Sequence, residues 1–582
     1  MNRRWLVNRT NQEFVNYISK SASISSTLAQ VLINRGIKTA PDINYFLNPG
    51  ISSLSDPFEL PDMKIVVERI KAAVQCNEGI FVHGDYDADG LTATSIMVQA
   101  LRKIGLNVEY FIPNRMTHGY GFNPPSVDMA KESGAKLIIT VDCGITSFEA
   151  ADYAKEQGID VIITDHHEPL RRAKSKEQRA ESEINQDEKF VLPKALAIVN
   201  PKISNLKSQF SDLSGAGIAF KFAQALAADN ALNLSEDDAL SLLDLAALGT
   251  VADVVPLTGE NRVIVRNGFK RISNNPRPGI NSLIKISGTA GREAKAGNLA
   301  FSVIPRINAA GRLADSTSIV KLLTTDSEYE AEEIAAWLDR LNSERQKIEG
   351  EMLQATRAKL IGKDTASAIV LASEGWHLGV IGIVAARIAE EFYRPAIIFT
   401  IDDGIAKGSA RSIPSFDITA ALSECSDLLL GYGGHKQAAG VRLEASKLAA
   451  FEKRLCSVFD SSTDVELMPS IRIDADVNFS EISFKMIEEL ARLEPFGCGN
   501  PQPVLGSKML EVHSPHVVGN NHIKMKLRHK ARNFDAIGFD MGKLFEEIDD
   551  SSVIDAAFVP SENIWNGNRY LQLILKAFRP SV

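Results

Sequence analysis

From residue 79 onward, short apolar runs rich in β-branched residues alternate with stretches of helical spacing. The runs 79–82, 108–112, 136–141 and 160–163 have strand length, and 91–104 carries the 3.6-residue spacing of a helix. Strands interleaved with helices imply a parallel sheet in an α/β domain. A helical stretch over 238–248 leads to Gly249 and on to Asp253. From 330 to 360, Ile334, Leu338, Leu341, Ile348 and Met352 recur at helical spacing. A pattern of that length predicts a long connecting helix. A second α/β unit follows, with strands at 367–371 and 395–400 around a helix at 380–391. It ends in the strand-like segment 407–412 and a glycine-rich loop at 431–435.

Past residue 471 short alternating runs dominate, at 471–477, 504–512, 523–527, 534–537 and 570–577. Five short strands in this space predict a small β-barrel, and an oligonucleotide-binding barrel is one candidate. The pattern alone admits other small barrels equally well.

A chain of 582 residues is too long for one core, so two to four domains are expected. Apolar content of 45% and charge of 24% are ordinary for a globular protein. The five cysteines are scattered and lack metal-ligand spacing, which points to buried thiols in a reducing cytoplasm. The first residues have no apolar signal core, and no run approaches the ~20 apolar residues of a membrane span. The expectation is a cytoplasmic protein without a membrane partner. The net charge of −9 argues weakly against a general nucleic-acid coat protein. It leaves room for a nucleic-acid enzyme with its cations gathered in one groove. The charged stretch 171–189, nearly free of apolar residues, reads as a surface loop without a catalytic role.

The chemistry falls at the strand ends. His83, Asp85, Asp87 and Asp89 follow the run 79–82, Asp142 follows 136–141, and Asp165, His166 and His167 follow 160–163. Open parallel sheets gather such ends along one ligand-binding edge. Carboxylates crowded there repel one another unless a cation lies among them. Asp-rich clusters suit Mg²⁺ or Mn²⁺, and the imidazoles tilt the balance toward Mn²⁺. The plain alternative for His83 to Asp89 is an acidic turn in solvent. Asp253 stands among apolar neighbours and is either a ligand or a helix cap. Taken together, the carboxylates and imidazoles are enough to hold two cations and hydrolyse a phosphodiester.

The triplet Asp165-His166-His167, with the acidic segments around it, resembles the DHH phosphoesterases. Within that superfamily the chain is similar to the single-strand-specific exonucleases. The likeness extends over nearly the whole chain: Pro113-Asn114-Arg115, Ala247 to Asp253, Arg306 to Arg312, Gly433-Gly434-His435 and Pro495-Phe496-Gly497 all take part. It implies an α/β DHH catalytic domain at 51–325 after an N-terminal segment 1–50. A connecting helix at 326–361, a smaller α/β domain of DHHA1 type at 362–462 and an OB-type barrel at 463–582 complete the expected architecture.

For the site, the resemblance implies that His83, Asp87 and Asp142 hold one Mn²⁺ or Mg²⁺. Asp89, Asp142, His166 and Asp253 hold the second, with Asp142 shared. His167 would face the scissile phosphate and Asp165 would orient the histidines. Asp85 is either a ligand or a hydrogen-bonding support. Arg115, Arg312, Ser409 and Arg411 are candidates for a terminal phosphate, with Asn308 near the same chemistry. Arg306 could join them, although taken singly it reads better as a surface ion pair. Tyr120 is placed to stack on a base, or simply to pack, and Gly434 with His435 offers close backbone approach and a donor. Lys524 and Lys526 share one strand face with Arg528, as backbone contacts for a trailing strand or as a solvated edge.

The implied activity is 5′-to-3′ degradation of single-stranded DNA to nucleoside 5′-monophosphates in recombination and repair. A helicase and a single-strand-binding protein are the implied partners, and a monomer is the default state. Two rivals compete. A phosphodiesterase or pyrophosphatase acting on small substrates is expected to lack the barrel and the long helix. A non-enzymatic scaffold of the same fold is expected to have lost metal ligands.

Overall fold

The computed structural model describes residues 3–8, 10–114, 121–172, 190–204, 210, 212–363, 365–462, 466–519 and 521–581. Arg115, Tyr120 and most of the charged 171–189 stretch lie outside the described residues. The chain forms two compact units. The larger takes Trp5–Asn308, Ser316–Ala335 and Ile471–Val582; the smaller takes Met1–Arg4, Ala309–Asp315 and Ala336–Ser470.

After a short strand at Arg4–Val7, the larger unit has three helices, α1 (Gln12–Ser21), α2 (Ser26–Asn34) and α3 (Ala40–Leu47), begun by Asn11, Ser25 and Thr39 as side-chain caps. Its parallel sheet consists of β1 (Ile80–His83), β2 (Val108–Phe111), β3 (Leu137–Val141), β4 (Asp160–Thr164) and β5 (Ala197–Val199). The helix α4 (Ala88–Lys103) follows β1. The strand order is β2-β1-β3-β4-β5, all parallel. The chain runs outward from β1 to β2 and then returns to β3 on the other side. The order therefore reverses between β1 and β3, which is where open α/β sheets place ligands. Strands β1 and β3 are buried along their whole length, as a sheet covered on both faces requires.

Helices α5 (Gly215–Ala227), α6 (Glu236–Leu240), α7 (Leu243–Ala252) and α8 (Gly259–Asn274) then pack into this unit. The helical stretch expected over 238–248 is thus two helices. The break follows Ser241, whose carbonyl and the Asp244 carboxylate are both taken by the Arg277 guanidinium. Helix α9 (Glu328–Leu360, 33 residues) begins in the larger unit and ends in the smaller.

The smaller unit holds β6 (Ile369–Glu374), α10 (Ile381–Phe392), β7 (Ala396–Asp402), β8 (Ile405–Arg411), β9 (Gly431–His435) and β10 (Ala438–Glu444). Its sheet order is β9-β10-β8-β7-β6, with only β6 and β7 parallel. The segment 431–435, expected as a loop, is therefore an edge strand. Gly433 and Gly434 pair opposite Gly440 and Ala439, and this backbone pairing needs no side-chain signal.

After the helix α11 (Phe484–Ala491) comes a barrel in the larger unit. It is built from β11 (Leu505–Val518), β12 (His522–His529), β13 (Arg532–Gly538), β14 (Val553–Trp565) and β15 (Asn568–Pro580). Neighbours run β11-β12-β13-β15-β14, and β14 pairs back onto β11 to close it. The run expected at 471–477 supplies only short strands at its side, and β14 was absent from the sequence expectation. Pro560 obscures β14, yet it is tolerated because pairing with β11 stops at Phe558, leaving an open edge. None of the five cysteines forms a disulfide, as expected, but Cys76 and Cys498 are exposed rather than buried.

Candidate metal centre

The acidic segments follow the carboxyl ends of β1, β3 and β4, on and beside the reversal point, and Asp253 joins them from the end of α7. His83 ends β1, and its ring is buried between Phe111 and Phe122, with centroids at 5.7 and 5.4 Å. Asp87 caps α4, and its Oδ1 accepts from the N–H groups of Asp89 and Gly90 at 3.0 and 3.1 Å. That leaves Oδ2 free for other work on an exposed residue. Asp142 follows β3 with φ of 62°, a left-handed conformation rare for a non-glycine residue. Val254, directly after Asp253, has φ of 59°. Strain of this kind persists where surrounding structure holds a side chain in one place.

Three triads of potential ligand atoms lie within 4.8 Å of one another. They are Asp85, Asp87 and Asp142; Asp89, His166 and Asp253; and Asp142, His166 and His167. His83 belongs to none of them, and Asp85 stands with Asp87 and Asp142 instead. His166 Nε2 lies 3.1 Å from Asp142 Oδ1 and 3.6 Å from Asp253 Oδ2. Asp253 occupies the C-terminal cap of α7, where the helix dipole disfavours a carboxylate. At that end of a helix its carboxylate has no first-turn N–H groups to accept from, so it is not an N-cap.

Backbone groups aim the carboxylates. Asp89 accepts from the N–H groups of Gly215 and Ala216, at 2.7 and 3.0 Å, in the first turn of α5. Sequence reading missed these donors. The serine cap Ser214 ahead of the small residues Gly215-Ala216-Gly217 was the available signal. A Cβ at Gly249 would sit 2.6 Å from Asp89 Oδ1, and one at Gly215 would sit 2.5 Å from Asp142 Oδ1. Only glycine permits either approach. Asp165, fully buried, accepts from Ile145 N–H and holds His167 Nδ1 at 2.7 Å. Asn200 donates to the His167 carbonyl and fixes the turn.

Electrostatics then set the problem this cluster poses. Burial, reinforced by Asp87, raises Asp85 to about 8 and Asp89 to about 7. Burial and Asp89 push Asp253 to about 8, and Asp142 is raised well above its ordinary value by the same causes. Burial lowers His83 to about 4 and, with the charge of His167, His166 to about 3. Burial also opposes charge on His167, but the hydrogen bond its Nδ1–H donates to Asp165, with that carboxylate's charge, outweighs it and raises His167 to about 9. The ion pairs within 4 Å at this cluster join His166 to Asp142 and Asp253, and His167 to Asp165. Both ring nitrogens of His83, Oδ1 of Asp142 and Oδ2 of Asp253 are buried without a hydrogen bond of ordinary geometry. Buried acceptors in that state are costly, and a divalent cation among them relieves both the desolvation and the repulsion. The oxygen-rich, imidazole-containing donor set fits Mn²⁺ or Mg²⁺.

The other expected residues fall elsewhere. Asn308 accepts from Ala88 N–H at 2.9 Å, steadying the start of α4 beside the cluster. Arg306 donates to the Ser302 carbonyl at 2.6 Å. In the smaller unit, Arg411 donates to Ser409 Oγ at 3.0 Å, and a Cβ at Gly382 in the first turn of α10 would meet both side chains. Arg312 donates to the Gly379 carbonyl just before that helix. Gly434 and His435 lie on exposed β9. Lys524 and Lys526 point outward from β12, on the face opposite the core residues Ile523, Met525 and Leu527.

A buried acid and imidazole cluster at the switch point of a parallel sheet, with the Asp-His-His triplet at its centre, defines a DHH phosphoesterase. Residues 79–250 match the DHH family N-terminal domain, 365–461 the DHHA1 domain and 473–577 the RecJ OB domain. The chain is 40% identical over 580 residues to the single-stranded-DNA-specific exonuclease RecJ of Bacillus subtilis, covering 98% of this chain and 70% of that protein. The crystal structure of RecJ with Mn²⁺ from Thermus thermophilus covers the whole chain and 80% of its own length, at 31% identity and a TM-score of 0.83. The Mg²⁺ complex from the same organism superposes with a TM-score of 0.77 at 29% identity. The chain belongs to the RecJ family of single-stranded-DNA-specific exonucleases.

Proposed function

We propose that this chain degrades single-stranded DNA from the 5′ end, releasing nucleoside 5′-monophosphates with the help of two Mn²⁺ or Mg²⁺ ions. The observation that carries the reading is the meeting of Asp89, Asp142, His166 and Asp253 around buried, unpartnered atoms at the sheet's reversal point. Asp89, Asp142, His166 and Asp253 hold one ion. Asp87 and Asp142 hold the other, with His83 and Asp85 completing that side. When bound, the ions supply an activated water and charge stabilisation for the leaving 3′-oxygen.

The chain's own residues do the rest. His167, exposed and held protonated by Asp165, offers positive charge and a proton donor to a phosphodiester oxygen. Asp165 keeps that imidazole in one orientation. In the smaller unit, Arg411, Ser409 and Arg312 gather at the start of α10, a position suited to a terminal phosphate. Arg115 and Tyr120 serve the same strand end. Gly434 and His435 contact the substrate backbone, and Lys524 and Lys526 contact the phosphates of the trailing strand.

The biological setting is recombination and repair, in which a helicase exposes the strand and a single-strand-binding protein keeps it open. The enzyme acts there as a cytoplasmic monomer. No helix among the described residues is long and apolar enough to cross a membrane.

Digestion of 5′-labelled and 3′-labelled strands, with matched duplexes, tests the polarity and strand choice. The expected result is early release of the 5′ label as mononucleotide, from single strands only, in Mn²⁺ or Mg²⁺ and not in chelator. Early release of the 3′ label, or equal attack on duplex, contradicts it.

A further inference from the structure

The barrel ends in a ribbon whose two faces are treated differently. Past Asp535 and Gln572, where the pairing of β15 with β13 ends, strands β14 and β15 continue as a two-stranded hairpin closed by Asn566-Gly567. On the face continuous with the barrel interior, Arg569 pairs with Glu562 at 2.6 and 2.8 Å and stacks over Phe484 of α11 at 4.9 Å. That face is fastened to the body. On the opposite face stand Trp565, 68% exposed, and Tyr570, 48% exposed. Among the described residues neither ring forms an aromatic contact or a side-chain hydrogen bond. Two large rings on a rigid ribbon are left open to solvent.

Register places these rings on the same surface as the cations of β12. Lys526 lies opposite Asp535, Asp535 opposite Gln572, and Gln572 opposite Ser561, so all four share the outer face. The same reasoning joins Lys524, Ile537 and Ile574 in the adjacent row. Alternation along β15 then puts Tyr570 on that face beyond Gln572, and its partner Asn563 lies two residues from Trp565. From β11, His513 faces Lys526 and His516 faces Lys524, with Arg528 across from Glu511. The surface thus carries a cationic band, with Glu511 and Asp535 within it, and runs into an aromatic tip. The strand spacing puts Lys526 and Gln572 ~10 Å apart. Single-stranded nucleic acid is held by this combination: backbone tracked by cations and bases stacked on rings. The β14–β15 connection is also the fourth-to-fifth-strand loop of the barrel, a position used for oligonucleotides in this architecture.

We infer that Trp565 and Tyr570 form a base-stacking station at the far end of the Lys524–Lys526–Arg528 band, so that the barrel grips the trailing strand by its bases as well as its phosphates. The inference rests on the single-strand reading above and adds a sequence-independent contact remote from the metal centre. It predicts that affinity depends on strand length, because only a strand long enough to leave the catalytic domain reaches the rings.

The test uses the full-length chain carrying Trp565→Ala and Tyr570→Ala together, with Trp565→Phe as the conservative variant. Binding of a long 5′-phosphorylated strand is measured in chelator, and hydrolysis of a trinucleotide in Mn²⁺. The double alanine variant is expected to bind the long strand about tenfold more weakly, as loss of stacked bases implies. Trp565→Phe should recover most of that loss, trinucleotide hydrolysis should be unchanged, and replacing the distal nucleotides by abasic ones should erase the difference between variant and parent. Parental affinity in the double variant overturns the inference. A loss that persists on abasic strands overturns it as well. If the unaltered chain neither binds nor cuts the strand, the functional reading itself fails, which is a distinguishable result.

Discussion

At the scale of single residues, the cluster stores repulsion that a cation removes. In the folded chain Asp85, Asp89 and Asp253 keep their protons until about pH 7 to 8, whereas the ordinary value is 3.8. Between those values the folded state binds more protons than the unfolded state, so the metal-free protein loses stability as pH rises from about 4 to about 8. Replacing Asp253 by Asn removes one buried charge. The metal-free variant should therefore melt at least about 2 °C higher at pH 8 than the parent. It should also lose most of the stabilisation Mn²⁺ gives the parent, because a ligand is gone. Differential scanning calorimetry with chelator and with Mn²⁺ reads both, and a variant that melts lower in chelator would count against a repulsive cluster.

At the scale of elements, the site depends on helices that approach the sheet edge closely. Gly249 in α7 faces Thr92 Oγ1, Ala216 Cβ and Asp89 Oδ1, each within 2.6 Å of where a Cβ would be. Gly249→Ala should cost about 1–3 kcal/mol of stability and displace Asp89. The expected outcome is a folded protein with activity lowered at least about tenfold, read by urea unfolding beside strand hydrolysis. The sequence made the metal-bearing segments legible because each β-branched run stops abruptly at charged residues, as with Val141 before Asp142 and Thr164 before Asp165. It concealed β9, whose glycines carry no pattern, and β14, where Pro560 interrupts the run. The grouping of Asp85 with Asp87 and Asp142 was equally hidden, because spacing within a loop does not say which side chains turn inward. Nor did the sequence show that Asn308 reaches 220 positions back to cap α4 at Ala88.

At the scale of the molecule, the barrel is tied to the catalytic part of the larger unit by an arginine that has no carboxylate partner among the described residues. Arg262 on α8 is 1% exposed and donates to the carbonyls of Phe46, Leu493 and Arg492 at 2.7, 2.8 and 3.1 Å. Its guanidinium also stacks 3.9 Å from the centre of the Phe46 ring. Burial and the neighbouring Arg266 lower its pKa to about 9, so the charge is held at a cost that the three carbonyls offset. Arg35 reinforces the junction through Asn500 and the Pro501 carbonyl. Arg262→Met should leave three buried carbonyls unsatisfied and cost about 3 kcal/mol or more. Chemical denaturation should then show the barrel unfolding ahead of the parallel-sheet domain, with long-strand degradation impaired more than trinucleotide hydrolysis. A single transition at the parental midpoint would show that the clamp does not couple them.

The central claim is that scattered carboxylates and imidazoles build one two-ion centre that performs the hydrolysis. Mn²⁺ titration of the chelator-stripped chain by calorimetry, paired with hydrolysis of a 5′-labelled strand by the same samples, tests it directly for the parent and Asp142→Ala. The account predicts two ions per parental chain, weakened binding of both ions in Asp142→Ala, and loss of hydrolysis with strand binding retained. Undiminished Mn²⁺ uptake by Asp142→Ala, or hydrolysis that continues in chelator, would contradict it.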